Sequence, residues 1–218
     1  MKESRPPKYR TSPGIEAEFE PGSHGKVLRN KLGIRTIKAM DQAEYDALEE
    51  TQDRYLDLVT EQTVFTGEFI RKMHRDWLGN IYSWAGTYRT VEMSKGGFTW
   101  PPASRIADNM DRFENTLIRL RTPFRKNGFE EAAEDLAIIH SELLLIHPFR
   151  EGNGRLARWL ANLLCLQAGL PMPDFGFDIP GNHVAHARYL QAVIRGYEQS
   201  YEDLADLFRE ALERSAAG

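Results

Sequence analysis

The stretch His147-Pro148-Phe149-Arg150-Glu151-Gly152-Asn153-Gly154-Arg155, followed by Arg158, gathers the residue types that phosphate chemistry needs. An imidazole titrates near neutrality and can take a proton from an attacking hydroxyl, so His147 is a candidate general base. Glu151 offers a hard carboxylate of the kind that holds Mg²⁺. Arg155 and Arg158 stand three apart, so on a helix both project from one side, and their planar guanidinium forks suit phosphate oxygens. Gly152, Asn153 and Gly154 would open that helix. Backbone N–H groups there have no intrahelical partners, the helix dipole adds positive character, and glycine lets a phosphate come close. The set is what a protein needs to hold a nucleotide's phosphates beside a hydroxyl nucleophile. Singly, each residue has an ordinary structural reading: a hydrogen-bonded histidine, a helix-punctuating turn, solvated or paired arginines. Their occurrence together, in this order, points to chemistry. Phe149 is expected to pack into the core and pin the loop.

The elements that must position these residues are mostly helices. Periodic apolar residues predict a helix from Asp41, with Asp41 and Glu44 as a capping-box-like start, and a second from Glu68 to Leu78. Between Gly86 and Pro102, Thr87-Tyr88-Arg89-Thr90-Val91, Gly96-Gly97 and Phe98-Thr99-Trp100 read as a β-hairpin, the one β element expected. Ser104 can cap a helix running to about Arg121. From about Glu130 a further helix carries Ala133, Leu136, Ile139, Leu143 and Ile146 inward and ends before Pro148. The next runs from the Gly152-Asn153-Gly154 turn to a stop at Gly169 and Pro171. Two more are expected near 182–198 and 201–214. Residues 1–30, rich in proline and glycine, read as a poorly ordered or loosely docked arm, and 31–218 as one mainly α domain.

Composition narrows the classes of function. A formal net charge of −4 gives no whole-chain attraction to nucleic acid or anionic membrane, and there is no basic recognition helix. No apolar run is long enough to span a bilayer, and no apolar stretch follows the basic MKESRPPKYR start, so no secretory signal is expected. The single cysteine, Cys165, sits in Leu163-Leu164-Cys165-Leu166 and reads as a buried core thiol, which with the lack of a disulfide framework suggests a reducing cytoplasm. His183 and His186 lack a third ligand and make no zinc site. His140, seven residues before His147, is expected to serve the core.

The motif resembles the Fic family pattern H-x-F-x-[D/E]-G-N-G-R-x-x-R at every fixed position, a highly specific match. Trp84-Ala85-Gly86-Thr87-Tyr88-Arg89 followed by Ser94-Lys95-Gly96-Gly97-Phe98 looks like that family's approach to its substrate hairpin, the flap. Val27 to Ile34 looks like its entry segment, and Tyr189 to Ala192 with Tyr197 to Leu204 like its closing helices. The similarity covers roughly 27–212. It implies a Fic-type helical bundle with one β-hairpin flap. The implied reaction moves AMP from ATP to a protein Ser, Thr or Tyr hydroxyl and releases pyrophosphate. His147 would take the hydroxyl proton and Glu151 would hold Mg²⁺. Gly152, Asn153, Gly154 and Arg155 would bind phosphates, and Arg158 would set the γ-phosphate. In the family's Doc branch, which phosphorylates its target, lysine replaces the glycine at position 154. Gly154 therefore favours nucleotidyl transfer.

The flap, Lys95, Gly96, Gly97, Phe98, Thr99 and Trp100 up to Pro102, is the expected clamp for a target protein, because a hairpin edge can pair with an extended segment. Phe98 and Trp100 either grip the target or pack back onto the helices. Family members are commonly restrained by a glutamate in the pattern [S/T]-x-x-x-E-[G/N]. Only Ser12 with Glu16 approaches it, and Ala17 follows where Gly or Asn belongs. Inhibition by a separate antitoxin-like protein, or none, is the favoured expectation. The target would be a protein of the same cell or, after delivery, of a host. Oligomeric state is not legible. Two alternatives stay open: transfer of another nucleotide or phosphate-linked group (or deAMPylation), and a non-catalytic helical binding module.

Overall fold

In the computed structural model, residues 9–177 and 183–217 are described. The scaffold is helical: α1 (Ile37–Leu58), α2 (Gly67–Leu78), α3 (Ile106–Phe113), a π turn (Glu114–Ile118) continuing into the short α4 (Arg119–Arg121), α5 (Phe129–Ile146), α6 (Asn153–Gln167), α7 (His183–Gly196) and α8 (Glu202–Ala217). α5 is the central element. Ala132, Ala133, Leu136, Ala137, Ile139, Leu143, Leu144 and Ile146 are all buried, which makes it apolar nearly all round, and α6, α7, α8 and α3 pack against it. Its polar backbone must close on itself at such depth, and Pro148 ends it: His147 turns into the left-handed region at φ 51°.

α6 follows after six residues and buries Leu156, Trp159, Leu160, Leu163 and Leu164. Gly169 at φ 68° ends it, with Leu170 N–H donating to Cys165 O (2.9 Å) and Gly169 N–H to Leu166 O (3.0 Å), a Schellman arrangement. Cys165 is fully enclosed there, and burial pushes its thiol up to about 12, which suits a packing role. No helix among the described residues is long and apolar enough to cross a membrane.

Several boundaries differ from the sequence expectation. α1 starts at Ile37 on Thr36, whose side chain accepts from Ala39 N–H (3.4 Å), so Asp41 and Glu44 are interior and form no capping box. Ser104 makes no cap; it lies in a 3₁₀ turn (Ala103–Arg105) that leads into α3. The hairpin β2 (Met93–Lys95) and β3 (Phe98–Thr99) forms as expected, yet it is part of a three-stranded antiparallel sheet. The added strand is β1 (Arg10–Thr11), paired to β2 with Arg10 opposite Ser94 and Thr11 opposite Met93.

The expected loose arm is therefore corrected for its described part. Ser12 Oγ accepts from Glu92 N–H (2.9 Å), and Phe19 bridges Leu28. Residues 1–8 of that arm lie outside the described residues. Local polar composition suggested disorder. What holds the segment is main-chain pairing and Glu16, neither of which composition reports.

Candidate active site

His147 forms the corner between α5 and the loop that opens α6. Its Nδ1 lies 3.2 Å from Leu144 O, a contact that assigns the proton to Nδ1 and the lone pair to Nε2. The Trp100 ring lies 4.1 Å away at 30°, and its indole N–H donates to the same Leu144 carbonyl (3.1 Å). Trp100 is thus turned inward, and Phe98 packs on it and on Tyr197. Of the two expectations for these flap aromatics, packing onto the helices is the one the structure displays.

The loop after His147 is held by its own side chains and by two residues from elsewhere. Asn153 Nδ2 donates to Phe149 O (2.7 Å) while its Oδ1 accepts from Phe149 N–H (2.9 Å), so the side chain shapes the loop. Phe149 is fully buried and stacks on His74 at 4.0 Å and 9°. His74 Nδ1 accepts from Gly86 N–H (2.8 Å), which leaves Nε2 as the donor to Glu151 O (3.1 Å). Arg89 is the second brace. Buried beneath the corner, it donates from Nε to His147 O (2.8 Å), from Nη1 to Val91 O (2.8 Å) and from Nη2 to Pro101 O (2.7 Å). Its own N–H bonds Pro148 O (2.8 Å). Burial lowers its pKa below the usual arginine value, and the fields of Glu92 and Glu16 offset only part of that.

Gly152 caps α6 in the left-handed region, at φ 85°. A Cβ there would meet the Trp77 ring at 2.8 Å, whereas one on Gly154 meets nothing closer than Arg158 Nη1 at 3.7 Å. Gly152→Ala is expected to destabilise the fold by about 2–4 kcal/mol, from backbone strain plus overpacking. Gly154→Ala, inside a helix with room, is expected to stabilise it by about 0.5–1 kcal/mol. Urea midpoints of the two variants measure both effects, and a common sign would contradict this geometry.

Glu151 Oε1 accepts from Gly152 N–H (3.0 Å) and lies 3.7 Å from Arg155 Nη2. Arg155 is anchored by Glu44 of α1, whose other oxygen accepts from Tyr82 OH (2.6 Å), and it lies over the Trp77 ring at 4.8 Å. Burial works against its charge, but Glu44 and Glu151 outweigh burial and hold its pKa above the usual value. Arg158 reaches over the rings of Phe177 (5.6 Å) and Tyr189 (5.8 Å). Arg155 and Arg158 border one open cleft of about 190 Å³, with Gln52, Asn162 and Phe177 on its other walls. The structure therefore puts His147 on the flap side of the loop and the two arginines on the α6 side, with Glu151 between them in sequence.

Ser12 and Glu16 sit elsewhere. Glu16 is buried and Oε1 accepts from the backbone of Thr90 and Val91 (2.9 Å for Val91) and from Thr90 Oγ1 (2.9 Å). It makes no ion pair with Arg158 among the described residues, so the inhibitory pairing expected of such a glutamate is replaced by anchorage of the N-terminal segment to the base of the hairpin.

Sequence reasoning gave no site role to Glu44, His74 or Arg89. For Glu44 a signal existed: Met40, Glu44, Thr51 and Tyr55 share the buried stripe of α1, and a carboxylate on such a stripe needs a partner. His140 takes the core role expected of it, with Nε2 at 2.6 Å from Tyr189 OH. Burial lowers His74 to about 4 and His140 to about 3, against 6.5 for a free imidazole. Both are neutral in the fold, so the unfolded chain takes up protons first on acidification. Stability is full above about pH 6.5 and falls toward pH 4, His74 alone accounting for about 3 kcal/mol. Urea midpoints across this window are expected to drop, and less so in His74→Gln; a flat profile in the parent would contradict the burial of both rings as neutral bases.

Comparison with known proteins fits this geometry. Residues 64–165 match the family model for the Fic/DOC family. A probable protein adenylyltransferase of Sinorhizobium fredii is 27% identical, over 88% of this chain and 93% of its own length. The probable protein adenylyltransferase Fic of Escherichia coli K12 is 30% identical over 70% of this chain and 74% of its own. Some curated relatives are longer, and the chain spans 37% of one and 19% of another. Among solved structures, the BepC protein from Bartonella tribocorum with bound AMPPNP superposes with a TM-score of 0.70 at 22% identity, covering 84% of this chain and 91% of that one.

Proposed function

This chain belongs to the Fic/DOC family, and from that premise we propose that it moves AMP from ATP to a Ser, Thr or Tyr hydroxyl of a target protein, releasing pyrophosphate. The observation that carries this reading is the placement of His147 and the α6 N-terminus on one short loop braced by Arg89, His74 and Asn153. A base fixed in one tautomer stands beside a helix end that favours anions, with two arginines on the next turns.

In this reading His147 Nε2 takes the proton of the acceptor hydroxyl as its oxygen attacks the α-phosphorus. Leu144 O and the Trp100 ring keep the imidazole in the orientation for that transfer. The loop backbone at Gly152 to Arg155 holds phosphate oxygens, and Arg155 is delivered to them by Glu44. Arg158 orients the terminal phosphate, so the α-phosphorus faces the acceptor. Phosphoryl-type transfer asks for positioning and charge neutralisation more than for covalent catalysis, and these residues supply both. Glu151 suits Mg²⁺ carried in on the nucleotide: Mg²⁺ is usually held by one or two carboxylates with substrate phosphates and water, and among the described residues no cluster of three or more His, Cys, Asp and Glu forms a protein cage. When bound, the ion neutralises phosphate charge. Glycine at position 154, where a lysine would add a cation at the phosphates, favours nucleotidyl transfer.

Regulation by a separate antitoxin-like protein stays part of the proposal, supported by the engagement of Glu16 away from Arg158. The test is incubation with Mg²⁺ and ATP labelled at the α- or the γ-phosphate, in a bacterial lysate. Label from the α position alone, entering protein, is the expected result. Label from the γ position alone would assign phosphoryl transfer instead, and label only from other nucleotides would change the donor.

A further inference from the structure

Two arginines are buried among the described residues, and they differ in what they bind. Arg89, 1% exposed, gives its guanidinium to three carbonyls. Arg150, 4% exposed, makes no hydrogen bond or ion pair among the described residues, and its Nε is sealed from solvent with no acceptor. The carboxylate acting on it most strongly is the adjacent Glu151, whose Oε1 turns to Gly152 N–H and toward Arg155 instead. A buried cation without a paired counter-charge destabilises a fold, and functional sites are where such groups are kept.

The place of this charge is set by its neighbours. The Arg150 guanidinium carbon is 5.9 Å from the Tyr9 ring centre, and that ring lies edge-on to His147 with centroids 5.7 Å apart. Arg150 therefore stands with the base on the flap side of the loop, whereas Arg155 and Arg158 border the cleft on the α6 side. In a triphosphate laid along this loop, the outer phosphates fall to those two arginines. The α-phosphate must lie toward His147, because the oxygen that His147 deprotonates attacks it. Backbone N–H groups at the start of α6 face that phosphate, but none of the residues assigned so far gives it an arginine. The motif pattern leaves position 150 open, so the family resemblance gives this residue no role.

We propose that Arg150 is a further catalytic residue, whose guanidinium holds a non-bridging oxygen of the α-phosphate from the acceptor's side during AMP transfer. The inference rests on the nucleotidyl-transfer reading above. In the step, the acceptor oxygen bonds to the α-phosphorus and its proton passes to His147. The bond from that phosphorus to the bridging oxygen breaks, and pyrophosphate leaves with the electron pair. Arg150 keeps all its protons. Its contribution is a fixed positive charge where negative charge gathers, already out of water and needing no rearrangement as the bonds change. The planar guanidinium can present parallel N–H groups to one phosphate, which the single ammonium of a lysine cannot.

The experiment compares the full-length parent, Arg150→Met, Arg150→Lys and Arg158→Met with Mg²⁺ in one bacterial lysate. It scores protein-bound label from α-labelled ATP and from the Rp and Sp forms of ATP in which sulfur replaces one non-bridging α-oxygen. Arg150→Met is expected to transfer AMP about 10²–10³-fold more slowly than the parent. Arg150→Lys, which keeps the charge, is expected to recover part of that rate. Sulfur at the contacted oxygen slows the parent, and this preference between the two forms should shrink about tenfold in Arg150→Met, as for one charge-assisted hydrogen bond lost. Arg158→Met, acting at the terminal phosphate, should keep the parent's preference. Without nucleotide, the urea midpoint of Arg150→Met is expected at or above the parent's, since methionine removes an unpaired buried charge. A parental rate in Arg150→Met would overturn the proposal. So would a slower rate with the parent's preference intact, or a lowered midpoint, since either makes Arg150 a brace of the loop. These outcomes leave the nucleotidyl-transfer reading standing; absence of α-label transfer by the parent would remove both.

Discussion

Replacing His147 by alanine is expected to lower the rate of AMP transfer by about 10²–10⁴-fold, or roughly 3–5 kcal/mol of transition-state stabilisation. The size follows from removing the imidazole at the corner that opens the phosphate loop. His74 is fully buried and spends both nitrogens on Gly86 and Glu151, and His140 is paired to Tyr189, so neither can substitute. The control is His147→Asn. Residue 147 sits at φ 51°, a conformation that asparagine tolerates better than most residues. Asn is expected to cost about 1 kcal/mol of stability, a melting shift of about 2–4 °C for a chain of this size, with transfer lost as in Ala. Both kinetics and melting curves are needed. A variant that folds and still labels its target at the parent rate would remove His147 as the base.

Arg89→Met is expected to destabilise the protein by about 3–5 kcal/mol and to depress transfer beyond what the remaining folded fraction explains. Arg89 satisfies the carbonyls of His147, Val91 and Pro101 at once, and methionine fills much of its volume while donating to none of them. Arg89→Lys is the informative companion. A single ammonium cannot reproduce a three-way planar fork, so most of the loss should persist although the charge is kept. Urea denaturation gives the stability term. For the catalytic term, kcat should fall while KM for ATP changes little, because the phosphate loop is braced independently through His74 and Asn153. Equal stability of the lysine variant and the parent would mean that charge alone matters at this position.

The chemistry of the site was legible in the sequence because it is local. His147 through Arg158 is one loop and the first two turns of a helix, so spacing alone puts the arginines on one side and the glycines at the helix start. The helices from α5 onward were legible for a similar reason, since Pro148 and Gly169 act on the backbone within a residue or two. The supporting side chains were not. Glu44 meets Arg155 across 111 positions, and Trp100 meets Leu144 across 44. Those pairings depend on how α1 and the flap pack, which periodicity does not report. Glu44 was read as a helix cap because capping is a local rule and ion pairing over such a separation is not. The N-terminal segment failed most completely. Proline, glycine and polar residues are the composition of a loose arm, and two strand residues with one buried glutamate are too few to alter that signal. Yet Glu16 alone accepts three hydrogen bonds from Thr90 and Val91 and fixes the segment beneath the flap.

The measurement that tests the central claim most directly is phosphorus NMR of the reaction medium, run on the parent and on His147→Ala with Mg²⁺, ATP and an acceptor protein. The parent is expected to release one pyrophosphate for each acceptor hydroxyl modified, with a phosphodiester signal growing on the protein fraction and neither appearing in the variant. Release of ADP with a phosphomonoester on the acceptor would show attack at the γ-phosphorus, and would contradict the assignment of this loop to AMP transfer.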